Sequence, residues 1–168
     1  DAAVPVKIID VEIEDEAPDI ALVDAVVTSD QFIGARALLD GSAIERIVLA
    51  RAAPTAVGMT SVGGLVRPLS DEEDAGLHLL LGKGGRSKVR APIAPGMFDT
   101  LRIKRLETLG FDEAVRFEGP CVLAFDGERE REIQAGQQVS MRVSRSGPSV
   151  LDISRTMQLA ACRKWFKR

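Results

Sequence analysis

The apolar positions of the chain fall into short runs, some alternating with period two and some continuous, and most runs are closed by a turn-forming pair. Residues 4–13 alternate toward their end (Ile9, Val11, Ile13) before the acidic stretch 14–19, which predicts a strand and a turn. The run 20–27, broken by Asp24, and the run 32–39 flank Thr28-Ser29-Asp30 and predict a hairpin. Residues 46–51 read as a strand that ends before Pro54. Residues 76–81 and 88–93 flank Gly82-Lys83-Gly84-Gly85-Arg86, a predicted hairpin loop, and Pro92, Pro95 and Gly96 predict an irregular crossing after it. Residues 101–106 and 114–118 alternate on either side of Gly110 and add two strands.

The next stretch is the most regular. Val122-Leu123-Ala124-Phe125 meets Asp126-Gly127, a pair suited to a tight turn. The charged run Glu128-Arg129-Glu130-Arg131-Glu132 reads as a solvated, self-pairing strand edge, and it leads through Gln134-Ala135-Gly136 to the alternating residues 139–143. The whole predicts a β-meander with two turns. After a strand at 150–153, residues 154–168 alone carry helical spacing, with Ser154 as a candidate N-cap and Met157, Ala160, Ala161 and Trp165 on one face. Short strands with frequent turns predict a mainly β domain, a sandwich or a barrel.

Composition narrows the chemistry. The 168 residues fit one domain with a core of its own. Two cysteines, Cys121 and Cys162, lie far apart without a CxxC spacing, and they read as free thiols in a reducing cytoplasm. No apolar run approaches the ~20 residues of a membrane helix, so the reading is a soluble protein without a membrane partner. A net charge of −3 argues against a nucleic-acid surface. The single histidine and the scattered cysteines leave no metal-ligand set and no histidine-based triad, so no catalytic or metal residue is assigned.

A few positions invite a ligand. Gly82, Gly84 and Gly85 lack the GxxxxGK spacing of a phosphate loop and no helix follows, so a turn is preferred. Thr60-Ser61-Val62-Gly63-Gly64 sets two hydroxyls beside a glycine pair, which suits either close approach to a ligand or a bulged strand or loop crossing. His78 lies between leucines with no visible partner and reads as a strand side chain. Asp126 either orients a ligand hydroxyl or forms the turn.

VLAFDGEREREIQAGQQVSMRVS resembles the C-terminal motif of NAD kinases, and VRAPIAPGMFDTLRI is similar to the same family's strand and proline-rich crossing. With QFIGARALLD and TAVGMTSVGGLVRPL, these segments look most like the ATP-NAD kinase-like group of acetoin catabolism protein X, over roughly residues 20–160. The resemblance implies a two-layer antiparallel β-sandwich with a C-terminal α-helix, residues 1–168 forming the second half of a two-domain protein. The first half would be an α/β domain with a Gly-Gly-Asp-Gly signature, which this chain does not contain. It further implies a full-length protein that binds NAD or NADP and ATP and phosphorylates a nucleotide, while this domain alone is not catalytic and requires no cofactor. Its implied partners are a nucleotide, its own N-terminal domain and further copies of itself in a homo-oligomer. By position, Asp24 keeps the acid of the kinases' Asn-acid pair, with Val23 in place of the amide. Thr60, Ser61, Gly63 and Gly64 stand where their Thr-Gly-Ser-Thr loop would lie, and Asp126 is the aspartate of the Asp-Gly motif. The alternatives are a structural or oligomerisation module without a ligand, and an accessory domain of the lipid-kinase type.

Overall fold

Whether a strand reads as alternating or as continuously apolar depends on how many cores it touches. The computed structural model describes residues 2–29 and 41–167. Among these, the strands are β1 (Ala3–Pro5), β2 (Ile8–Ile13), β3 (Asp19–Ala21), β4 (Asp24–Thr28), β5 (Ile44–Leu49), β6 (Ala75–Leu81) and β7 (Ser87–Ala94). They continue as β8 (Met97–Gly110), β9 (Ala114–Glu118), β10 (Cys121–Phe125), β11 (Arg129–Ile133), β12 (Gln138–Ser144) and β13 (Ser149–Leu151). Two helices, α1 (Met59–Gly64) and α2 (Ile153–Cys162), complete the set. A seven-stranded sheet runs β11-β10-β4-β5-β6-β8-β7, a four-stranded sheet β3-β2-β12-β9, and β1 pairs only with β13. Every pairing between these strands is antiparallel.

The two larger sheets make the layers of a β-sandwich. Ile9, Val11 and Ile13 of β2 and Val139, Met141 and Val143 of β12 point inward to Ala25, Val27, Val48, Leu123 and Phe125. The other face of the seven-stranded sheet carries a second core, in which Val26, Ile47, Leu49, Leu77 and Leu79 lie under Met59 and Val62 of α1. Strands β4, β5 and β6 are therefore apolar on both faces and lose the alternation that β2 and β12 keep. Burying a Leu or Ile side chain in either core contributes on the order of 1.5–3 kcal/mol.

Several expectations change in the structure. The loop at 82–86 is not a hairpin, because β6 and β7 are separated by β8, which pairs β7 along its first half and β6 along its second. The hairpin is the segment expected to be a crossing: β7 and β8 turn at Pro95-Gly96, and Pro92 is tolerated because β7 is an edge strand. Residues 101–106 belong to one strand of 14 residues. The meander holds only at its first turn; β10 and β11 pair, whereas β12 lies in the other sheet. The strand expected over 4–13 breaks at Val6-Lys7, and the expected partner run 32–39 lies outside the described residues. The C-terminal helix starts at Ile153, capped by Asp152, whose carboxylate accepts the N–H of Arg155 at 2.9 Å, rather than at Ser154.

The charged run on β11 is exposed, but its arginines do not pair within the run. Arg129 and Arg131 both reach Asp19 on β3, at 2.7 and 3.1 Å, and so tie the edge of one sheet to the edge of the other. A second tie comes from Lys7, which is buried and donates to the backbone carbonyls of Ser70, Glu73 and Ala75 at 2.8, 2.8 and 3.0 Å. Arg145 holds the same acidic loop through Asp74. Cys121 and Cys162 are both free.

Candidate functional site

The turn between β10 and β11 needs two residues with positive φ, and Asp126 (55°) and Gly127 (72°) supply them. This orientation sends the Asp126 carboxylate across to the neighbouring strand. It accepts the backbone N–H groups of Leu22 at 2.9 Å, Val23 at 2.7 Å and Asp24 at 3.2 Å, and the Asp126 N–H donates back to the Asp24 carbonyl at 3.0 Å. Asp126 is thus the turn-former and also the fastening of the β3–β4 corner.

Asp24 opens β4 opposite Leu49 of β5. Because Val26 and Leu49 belong to the core under α1, Asp24 projects from that same face of the sheet. Its side chain makes no hydrogen bond or ion pair among the described residues. Burial, and then the neighbouring Asp126 charge, push its pKa up to about 6. The site therefore pairs one carboxylate saturated by amides with one carboxyl that retains its full bonding capacity.

Residues 59–64 form a helix, not a bulged strand or loop. Gly58 precedes it at φ 87°, a conformation open to glycine, and its N–H donates to the Pro92 carbonyl of β7 at 2.8 Å. Ser61 is fully buried and donates to the Gly58 carbonyl at 2.7 Å, which closes the first turn. Gly63 and Gly64 are there for proximity: a methyl on Gly63 would run into the Leu49 side chain, and one on Gly64 into the Ala53–Pro54 backbone. Thr60 is buried, and its hydroxyl makes no hydrogen bond among the described residues.

The predicted site residues thus fall into two groups on one face. Asp24 and Asp126 are neighbours; Ser61, Gly63 and Gly64 shape the helix that packs on Leu49, the cross-strand partner of Asp24. Ser61, Gly63 and Gly64 are used in packing, so the groups free to meet a ligand are the Asp24 carboxyl and the Thr60 hydroxyl. A cavity of about 220 Å³ lies elsewhere, between Ser42, Lys83, Asp99 and Arg102, and includes none of the six.

His78 has the partner that the sequence did not disclose. It faces the sandwich core beside Val48, and its Nδ1 lies 3.0 Å from Glu107 directly across on β8. Its Nε2 is buried without a partner, and burial holds the ring below the ordinary imidazole range. Residues 78 and 107 meet only through the β6–β8 register, which no local pattern encodes. Among the described residues no group of three or more His, Cys, Asp or Glu is placed to hold a metal ion, and no helix is long and apolar enough to cross a membrane.

Residues 7–146 match the family model for the Acetoin catabolism protein X C-terminal domain. Acetoin catabolism protein X of Cupriavidus necator is 35% identical over 147 residues, a match covering 84% of this chain and 40% of the relative. The chain thus spans less than half the length of that relative. With the family's domain matched over most of its length, the chain belongs to the Acetoin catabolism protein X C-terminal domain family.

Proposed function

We propose that this chain is the C-terminal domain of a two-domain ATP-NAD kinase-like protein and forms one wall of a nucleotide site. The catalytic residues would lie in an N-terminal α/β domain outside this chain, so the domain alone is not catalytic. The observation that carries the reading is the Asp24 carboxyl, shielded, unbonded and raised to about 6 beside an amide-saturated Asp126. Ionised at neutral pH, that carboxylate can accept from sugar hydroxyls, a pairing that suits the ribose of NAD or NADP. Asp126 fixes the backbone that carries Asp24, α1 is the floor of the wall, and Thr60 is the second polar group. ATP would serve as phosphoryl donor in the full-length protein, where transfer rests on positioning and charge stabilisation. Free Cys121 and Cys162 suit the cytoplasm.

The test is calorimetric titration of the full-length protein with NAD, NADP and ATP, with Asp24→Asn as control. Binding weakened about tenfold or more in the variant supports the reading, in line with the ~1.5–3 kcal/mol of a hydrogen bond to a charged group. A second reading, a structural and oligomerisation module, is favoured by the use of Ser61, Gly63 and Gly64 in packing alone. Sedimentation as a monomer at all concentrations contradicts it.

A further inference from the structure

We propose that the open edge of β7, with the cations beside it, takes an extended acidic segment of a different protein as an added strand. The inference goes beyond the nucleotide reading and does not rest on it, since Asp24 lies on the α1 face of the sheet and these cations lie on the other.

Strand β7 is the last of the seven-stranded sheet and pairs with β8 alone. Val89, Ala91 and Ile93 turn to the core under α1, so Lys88 and Arg90 turn to the opposite face. Among the described residues, none of β7 and none of β8 before Leu109 belongs to the sandwich core, which leaves that face bare. Lys88 stands directly opposite Arg102 there, and Arg90 opposite Thr100. An extra residue in β8, between the partners of Leu80 and Leu81, sets Lys104 beside Arg105 on the same face. Glu107 holds Arg105 at 2.6 Å, whereas Lys88, Arg102 and Lys104 have no ion pair or side-chain hydrogen bond among the described residues. Arg90 lies over the exposed Phe98 ring at 5.4 Å. The chain has 25 acidic against 22 basic residues, yet the one carboxylate between residues 87 and 105, Asp99, lies on the α1 face and accepts the N–H groups of Gly41 and Thr100. Like charges set directly opposite each other cost stability, and a counter-charge would relieve that cost.

The backbone of β7 specifies the form of that counter-charge. The Pro92 carbonyl accepts the Gly58 N–H at 2.8 Å and so points away from β8. In an antiparallel ladder both polar groups of a residue point to one side and alternate residues share that side, so Arg90 and Lys88 also turn their N–H and C=O groups outward. These groups have no backbone partner among the described residues. A strand added at this edge continues the ladder that Gly58 begins. Its residues beside Lys88 and Arg90 would be acidic, and the alternate ones, in line with Val89 and Ala91, would be apolar.

Lysine on an edge strand also guards against pairing, and here it guards against a second copy, because β7 on β7 would set Lys88 and Arg90 against their like. Such a guard does not call for Arg102 and Lys104 on the strand behind. A bilayer or a nucleic acid would answer the charge alone, whereas an acidic strand answers both the charge and the open backbone.

The experiment uses the full-length protein and a fluorescein-labelled peptide as long as β7, eight residues, that alternates Glu with Val. Saturable binding by fluorescence anisotropy is expected, together with ~10-fold or greater slowing of hydrogen exchange at the Lys88 and Arg90 amides. Lys88→Glu with Arg90→Glu should weaken binding about tenfold or more and confer binding of the peptide that carries Lys in place of Glu. The exchange measurement on the parent decides the matter whether or not the variant folds. No binding by the parent overturns the proposal, as does binding without protection of these two amides, or equal binding of an all-Glu peptide, either of which reduces the face to charge alone. Tighter binding to anionic vesicles or to an oligonucleotide than to the peptide overturns it in favour of that partner, and protection that grows with protein concentration without peptide does so in favour of a second copy.

Discussion

The backbone N–H of Val23 lies 2.7 Å from the Asp126 carboxylate, so a turn between two strands holds the start of a third. Leu22 and Asp24 donate to the same side chain. Asp126→Ala leaves these amides without their acceptor and should lower stability by about 1–3 kcal/mol in urea unfolding. Asp126→Asn keeps one acceptor oxygen and tolerates φ 55°, so it should lose less. Equal losses for the two variants would contradict this, since the acceptor oxygen and turn preference that asparagine keeps would then contribute nothing.

Asp24 gives stability a pH dependence of known sign. Its folded pKa of about 6 stands above the ordinary aspartate value of 3.8, so the folded state holds this proton more tightly than the unfolded state. Its contribution favours folding in acid and is lost as pH rises from 3.8 to about 6. Asp24→Asn should therefore be more stable than the parent at pH 7 by about 1–3 kcal/mol and no different below pH ~4. A parent that is the more stable at pH 7 would reveal a stabilising partner for the ionised carboxylate.

His78 acts in the opposite direction. Burial lowers its pKa from 6.5, against the pull of the Glu107 hydrogen bond, and the Arg46 charge adds to the lowering. The unfolded chain then takes up the proton first, so stability is full above 6.5 and falls as pH drops below that value. His78→Leu should flatten this acid limb in thermal unfolding followed from pH 7 to pH 5. An unchanged limb would place the acid sensitivity elsewhere.

The close approach of α1 to β5 is tested by adding one methyl group. Gly63→Ala forces Leu49 aside and should cost about 1–3 kcal/mol, although alanine is the better helix former. Stabilisation by the same substitution would mean that the helix can move away without loss.

These positions also show what was legible beforehand. The Asp126-Gly127 turn, the inward residues of β2 and β12 and a mainly β domain, sandwich or barrel, follow from local chemistry and period, the choice of a sandwich follows from the family resemblance, and all appear in the structure. The pairing order does not follow from local signals. The exchange of roles between the loop at 82–86 and the hairpin at Pro95-Gly96 depends on β8 lying between β6 and β7, a choice set by the whole sheet. Helix α1 was hidden for a physical reason. Its glycines have poor helix propensity and are present because Leu49, Ala53 and Pro54 stand too near for any side chain. Asp24 could be singled out by its position, but its lack of a partner and its nearness to Asp126 are visible only in three dimensions.

The central claim is that Asp24 belongs to a nucleotide site, and its most direct test is a titration of the full-length protein with NAD and NADP, parent beside Asp24→Asn. The account predicts saturable binding by the parent and an affinity lower by about tenfold or more in a variant that is at least as stable at pH 7. Equal affinity in the two proteins, or no heat of binding by the parent, contradicts it.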